Sequence, residues 1–156
     1  MNSSFKNGAA GAQSDVQKAF DAGCRKLSAR MRTEKEIRGF LKQNGYRVAL
    51  ATATAPERTK KYLSALGLYD YFDEIVCASM VAKGKPEPDI YLYAAEKLGL
   101  APENCIALED SFNGIKSASS AGCKTVMVPD LDRPSAEAIP LLYGVADNLI
   151  DVKRFL

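Results

Sequence analysis

A chain of 156 residues has the length of one domain, and at that size folding can bury roughly 68–70% of the unfolded surface without disulfide or metal staples. Apolar residues make up 47% and charged residues 26%, which excludes a disordered, collagen-like or coiled-coil composition, and a net charge of +2 is too balanced for a dedicated nucleic-acid binder. Histidine is absent, so this chain builds no Ser-His-Asp or Cys-His relay and no histidine-ligated zinc or haem. Any chemistry must come from carboxylates, lysine, hydroxyls and backbone.

Met1 to Gly11 is polar and Gly/Ala-rich, and reads as a loose tail. Ser14-Asp-Val-Gln17 has capping-box spacing, and Val16, Phe20, Cys24, Leu27 and Met31 then recur at three or four residues, which predicts a first amphipathic helix. A second helix is predicted from Glu34 to Asn44, stopped at Gly45. Tyr46 to Ala51 is a short apolar run suited to a buried parallel strand. Pro56 then opens a helix whose apolar positions are Tyr62, Leu63 and Leu66, and Glu74 to Ala78 reads as the next strand. The cycle repeats with a helix from Asp89 to Leu98, a strand from Cys105 to Leu108, a helix from Ser111 to Ala121 and a strand from Thr125 to Val128. The tail from Pro140 is expected to add a helical turn, a short strand near Asn148 to Ile150 and a packed Phe155-Leu156. Strands alternating with helices predict an α/β fold of three layers, a Rossmann-like parallel sheet flanked by helices. No apolar stretch approaches the roughly 20 residues of a membrane helix. Cys24, Cys77, Cys105 and Cys123 contain no C-x-x-C pair, which points to a reduced, cytoplasmic protein without a disulfide framework.

In such a sheet, ligands sit at the carboxyl ends of the strands. Three groups of residues fall there. Thr52, Ala53 and Thr54 offer a hydroxyl and backbone N–H groups to a phosphate oxygen, or alternatively a cap for the helix at Pro56. Lys85 is held between Gly84 and the prolines Pro86 and Pro88, a stiff setting that positions a cation; the alternative is an exposed surface lysine. Glu109 and Asp110 directly follow a buried strand, beside Ser111 at a helix start. Capping of the helix by Asp110 or Ser111 accounts for these residues, and so does Mg²⁺, which prefers oxygen ligands and takes one or two carboxylates.

The strings Ala49-Leu-Ala-Thr52, Gly84-Lys-Pro-Glu-Pro-Asp89 and Leu108-Glu-Asp-Ser-Phe-Asn-Gly114, in that order, resemble the haloacid dehalogenase-like (HAD) hydrolase superfamily, in its β-phosphoglucomutase-like phosphatase branch. The resemblance covers Thr33 to Leu156. It implies that Thr52 is the hydroxyl that binds the transferring phosphoryl group, with Ala53 and Thr54 assisting. It likewise implies that Lys85 neutralises charge on nucleophile and phosphate, that Glu109 and Asp110 hold Mg²⁺, and that Ser111 orients them. Such a set stabilises a loose phosphoryl transition state electrostatically.

The family's first motif, an apolar strand ending in Asp-x-Asp before the Thr52 string, is not found. Asp15 and Asp21 lie in a helical segment, and Asp130-Leu-Asp132 has the right spacing in the wrong place, after the last motif, where a turn is expected. In the family that strand lies centrally, between the strands ending at Thr52 and at Glu109. Without it, those two strands must pair directly, or a segment of this or another chain must fill the slot, because buried unpaired backbone is costly.

The expected organisation is therefore a tail and remnant cap helix over residues 1–32 and a HAD-like core lacking its first strand over 33–156, making up most of a longer hydrolase. The expected function is Mg²⁺-dependent phosphohydrolase or phosphomutase chemistry on a small phosphorylated, sugar phosphate-like metabolite, with little turnover by this chain. The alternative is a non-catalytic module that binds phosphate and Mg²⁺. A signalling receiver domain also combines acids, a hydroxyl and a lysine, but with the acids first and the lysine last, the reverse of the order here. No nucleic-acid or membrane partner is expected, and self-association is one way to fill the slot.

Overall fold

The computed structural model describes residues 36, 37, 39–130 and 133–156. The chain divides into a unit spanning Met1–Glu34 and a unit spanning Lys35–Leu156, and every described residue belongs to the second. The helix expected between Asp15 and Met31 lies outside the described residues, as does Asp132.

Residues 39–43 are helical, and the segment ends where Gly45 takes the left-handed conformation with φ of 78°. That turn lets the Tyr46 N–H bond back to the Leu41 carbonyl at 2.9 Å, satisfying a carbonyl the helix end would leave open. Strand β1 (Ala49–Thr52) consequently begins later than the expected Tyr46, because the Tyr46 backbone closes the preceding helix instead of joining a ladder. Helix α1 (Pro56–Ala65) starts on Pro56, whose fixed φ and missing N–H suit a first helical position. Strand β2 (Glu74–Cys77), helix α2 (Asp89–Leu98), strand β3 (Ile106–Glu109), helix α3 (Phe112–Ser120) and strand β4 (Lys124–Met127) follow within a residue or two of expectation.

The tail departs from expectation. Its strand, β5, is Gly144–Val145, paired parallel to β4, and not the segment near Asn148. The Asn148 side chain instead accepts from the N–H groups of Ile150 (2.9 Å) and Asp151 (3.2 Å), turning the chain into the short 3-10 helix Asp151–Phe155. Gly144 has its own reason: a Cβ there would collide with the Phe155 ring, which packs against this strand.

Every ladder among the described residues is parallel. β1 pairs with β2, Ala49 opposite Glu74 and Thr52 opposite Cys77; β3 pairs with β4, Ile106 opposite Lys124 and Glu109 opposite Met127. The strands form two sheets, β1-β2 and β3-β4-β5, and β1 does not pair with β3. Direct pairing of these two strands, one of the two arrangements expected above, is thus not adopted among the described residues. The apolar clusters follow the sheets. Val76, Ile90 and Ala94 pack with Ala49 and Ala51 over the first; Val126, Ala146 and Val152 pack with Ile106 and Leu108 on one face of the second, and Ile115, Met127 and Ala138 on the other.

Helix α2 links the two halves. Its stripe Ile90, Ala94 and Leu98, at helical spacing, is buried, and the helix packs against β1, β2 and α3. Among the described residues no helix is long and apolar enough to cross a membrane.

Candidate functional site

Parallel pairing puts the carboxyl ends of β1 and β2 on the same side, Lys85 joins the end of β1 to the end of β3, and the loops after these strands carry the expected residues. Lys85 follows β2 across a short 3-10 turn, Ala78–Met80, in a loop with a cis Lys85-Pro86 bond. Its side chain is only 17% exposed, so it is not a surface lysine. The ammonium donates to the Ala51 carbonyl of β1 (3.2 Å), to the Tyr91 hydroxyl (3.3 Å) and to Glu109 Oε1 at the end of β3, with which it forms an ion pair. Three donors and three acceptors match, which is what a charged group with so little exposure requires. One lysine thereby spans the carboxyl ends of two strands that do not pair with each other.

Glu109 is 8% exposed and fully engaged. Oε1 accepts from Lys85 and from the Tyr91 hydroxyl, while Oε2 accepts from Ser111 Oγ at 3.4 Å. Gly114 makes room for this carboxylate, since a Cβ there would overlap it. Ser111 is the N-cap of α3, its Oγ accepting from the Gly114 N–H at 3.2 Å. The capping expectation for Ser111 therefore holds, and Glu109 serves Lys85 and Tyr91 rather than the helix end. Asp110 is exposed.

Tyr91 was not among the expected residues. It lies on α2 with its hydroxyl in the network and its ring under the Lys85 ammonium, 5.0 Å from the centroid. Burial, then the Glu109 charge and the hydrogen bond to it, hold the phenol well above the ordinary tyrosine range. A signal for it existed in the sequence: a tyrosine beside the buried stripe of α2, just after the lysine loop, must place its hydroxyl on a polar partner.

Thr52 is half-buried at the end of β1, and its Oγ1 accepts from the Thr54 N–H at 3.1 Å. Neither threonine caps α1, whose N-cap residue is Ala55 without a side-chain bond. The link from this loop to the acids runs through the Ala51 carbonyl and Lys85. A cleft of about 490 Å³ opens beside β3, lined by Asp110, Ser111, Phe112, Asp130, Arg133 and Ser135 among others. Thr52 and Lys85 do not line it, so it flanks the lysine network on the Asp110 side. No group of three His, Cys, Asp or Glu side chains suited to a metal ion occurs among the described residues. Asp110 is the acid of the expected pair left open to solvent.

The site therefore joins a half-buried cation to a carboxylate and a backbone carbonyl at strand ends, with hydroxyl-bearing and acidic residues beside it. The fold and motifs have counterparts among known proteins. The family model for haloacid dehalogenase-like hydrolases matches residues 19–122. The chain is 35% identical over 122 residues to the phosphorylated carbohydrates phosphatase of Thermotoga maritima, covering 78% of this chain and 49% of that protein. It is 37% identical over 95 residues to hexitol phosphatase B of Escherichia coli K12, covering 61% of this chain and 43% of that protein. Among solved structures, CbbY from Rhodobacter sphaeroides in complex with phosphate aligns with a TM-score of 0.67 and 31% identity, over 76% of this chain and 53% of that one. β-Phosphoglucomutase from Clostridium difficile aligns with a TM-score of 0.64 and 30% identity, over 74% of this chain and 48% of that one. The chain thus spans about half the length of these relatives. With a family model that covers most of the chain and α/β neighbours at this identity, the chain belongs to the haloacid dehalogenase-like hydrolase family.

Proposed function

We propose that this chain forms the phosphate-handling core of a Mg²⁺-dependent phosphohydrolase or phosphomutase acting on a small phosphorylated metabolite of the sugar phosphate kind. The observation that carries this reading is the half-buried Lys85 ammonium, held by Glu109 at the end of β3 and by the Ala51 carbonyl one residue before Thr52. The relatives named above, a phosphorylated carbohydrates phosphatase and a hexitol phosphatase, point to the substrate class.

Each residue has a role in this reading. Lys85 lowers the electrostatic cost of bringing a phosphate dianion to the strand ends. Thr52 donates its hydroxyl to a phosphoryl oxygen, and the backbone of Ala53 and Thr54 flanks it. Glu109, through its ion pair, fixes the lysine at the strand ends. Exposed Asp110 fits the oxygen preference of Mg²⁺, which needs one or two carboxylates and completes its shell with water and phosphate; Glu109, the other member of the expected pair, is tied to Lys85. When bound, Mg²⁺ would neutralise phosphate charge and polarise the phosphoryl oxygens. No nucleophilic Asp-x-Asp precedes Thr52 in an apolar strand, so the reading assigns no nucleophile within the chain and little turnover. A strand from another segment, or self-association, would complete the sheet between β1 and β3.

Calorimetric titration with inorganic phosphate and Mg²⁺ tests the reading. Binding is expected, and Lys85→Ala is expected to weaken it at least tenfold, a loss of about 1.4 kcal/mol. Absence of phosphate binding by the folded chain would sink it. The missing nucleophile also favours a second reading, a non-catalytic phosphate-binding module. Binding without hydrolysis of an aryl phosphate, persisting after the chain is supplied with an Asp-x-Asp strand, would favour the module.

A further inference from the structure

Cys105 and Cys123 are unused by the site and sit at the opposite ends of its strands. The parallel register that sets Ile106 opposite Lys124 continues one residue back and sets Cys105 opposite Cys123. The Lys124 N–H bonds the Cys105 carbonyl at 3.0 Å, which closes the ladder immediately beside this pair, and Cys105 is in extended conformation with φ of -103° and ψ of 140°. Opposite residues of adjacent parallel strands project to the same face. Here that face is the one bearing Met127, which packs under Ile115 of α3. Adjacent strands lie about 4.8 Å apart, inside the roughly 4.4–6.8 Å separation of Cα atoms that a disulfide spans.

Both backbones are held in place. The Cys105 N–H bonds the Pro102 carbonyl (2.9 Å) and the Cys123 N–H bonds the Ala118 carbonyl (3.1 Å). Both thiols are free and half-buried, within reach of small oxidants, whereas Cys77 is buried against Thr59. Cys123 is pushed up to about 11 by burial and by the neighbouring Cys105 thiol, and Cys105 is raised by burial and by Glu103.

We propose that Cys105 and Cys123 form a dithiol modification site that closes into a cross-strand disulfide when exposed to a low-molecular-weight disulfide such as oxidised glutathione. One thiolate attacks a sulfur of the oxidant and expels the first small thiolate. The second cysteine then attacks the protein sulfur of the mixed disulfide and expels the other. The protein loses two electrons and two hydrogens, and the oxidant becomes two thiols. The closed loop contains β3, Glu109, Asp110, Ser111 and all of α3, so oxidation would pin the segment that carries the acids while leaving Lys85 untouched.

The test uses the full chain with Cys24→Ser, to remove the remaining thiol outside the described residues. After exposure to oxidised glutathione at alkaline pH, intact mass should fall by two hydrogens, peptide mapping should link Cys105 to Cys123, and no disulfide should join two chains. The thermal midpoint should rise by roughly 6 °C or more and return on reduction. Cys105→Ser and Cys123→Ser should each abolish the mass change and the shift, with the alanine variants replacing either one that unfolds. Glutathione remaining on both cysteines, a bond through Cys77, or disulfide-linked dimers would each overturn the proposal.

Discussion

At the level of single residues, Tyr91 makes the clearest case, because its hydroxyl serves an ionised acceptor with little access to water. Tyr91→Phe removes one charge-assisted hydrogen bond from Glu109 and keeps the ring. The expected loss is about 1.5–2 kcal/mol in urea unfolding at neutral pH. The same residue sets a pH dependence. Its phenol is raised in the folded state above the ordinary 10.0, so its contribution is complete below pH 10.0 and is lost as the pH climbs beyond it. Cys123 acts in the same direction over its own window, from 9.0 to about 11. Stability should therefore fall on the alkaline side from about pH 9 upward, and Tyr91→Phe should make that fall shallower. An alkaline limb that is flat in the parent chain, or identical in the variant, would contradict this assignment. Lys85 and Glu109 were legible in the sequence, one from its proline-stiffened loop and the other from its place after an apolar run. That they bond each other was not, because the two residues lie on different strand ends and only the fold brings them together.

Among the elements, chain order and type were readable wherever an apolar run or helical spacing met a glycine or proline, as at Pro56 before α1 and Gly99 after α2. Edges were less so. Whether Tyr46 belongs to a strand depends on the partner its N–H finds, and the helix before it claims that N–H first. The misplaced tail strand has a similar cause. Leu149 and Ile150 look strand-like by composition, but one asparagine side chain accepts two backbone N–H groups and turns the chain. Asn148→Ala should then cost about 1 kcal/mol and loosen the Asp151–Phe155 turn. Increased proteolytic cleavage after Lys153 or Arg154, compared with the parent chain, checks it. Unchanged stability and cleavage would mean that the Phe155 contact with β5 holds the turn unaided.

For the molecule as a whole, sequence reasoning anticipated a three-layer parallel α/β arrangement and a slot between the strands ending at Thr52 and Glu109, and the described strands do fall into two sheets there. Local pattern carried the first; the second came from noticing that a string was missing. Of the described strands, β4 alone has a ladder on both sides. Its amides should exchange with solvent deuterium more slowly than those of β1 and β3, each of which has a single ladder partner. Hydrogen exchange read by mass spectrometry over residues 49–52, 106–109 and 124–127 checks this, and equal protection in all three would show that the slot is filled in solution.

The three acceptors around Lys85 have one more consequence. An ammonium group has three protons to donate, and here all three are spent holding one sheet to the other and to α2. The anion proposed above would therefore recruit a donor already employed as a clasp, and the 3.3 Å bond to the Tyr91 hydroxyl, the longest of the three, would be the first to yield. Occupancy and cohesion would then draw on the same atom: the tighter such a ligand gripped the lysine, the looser the seam between the sheets would become.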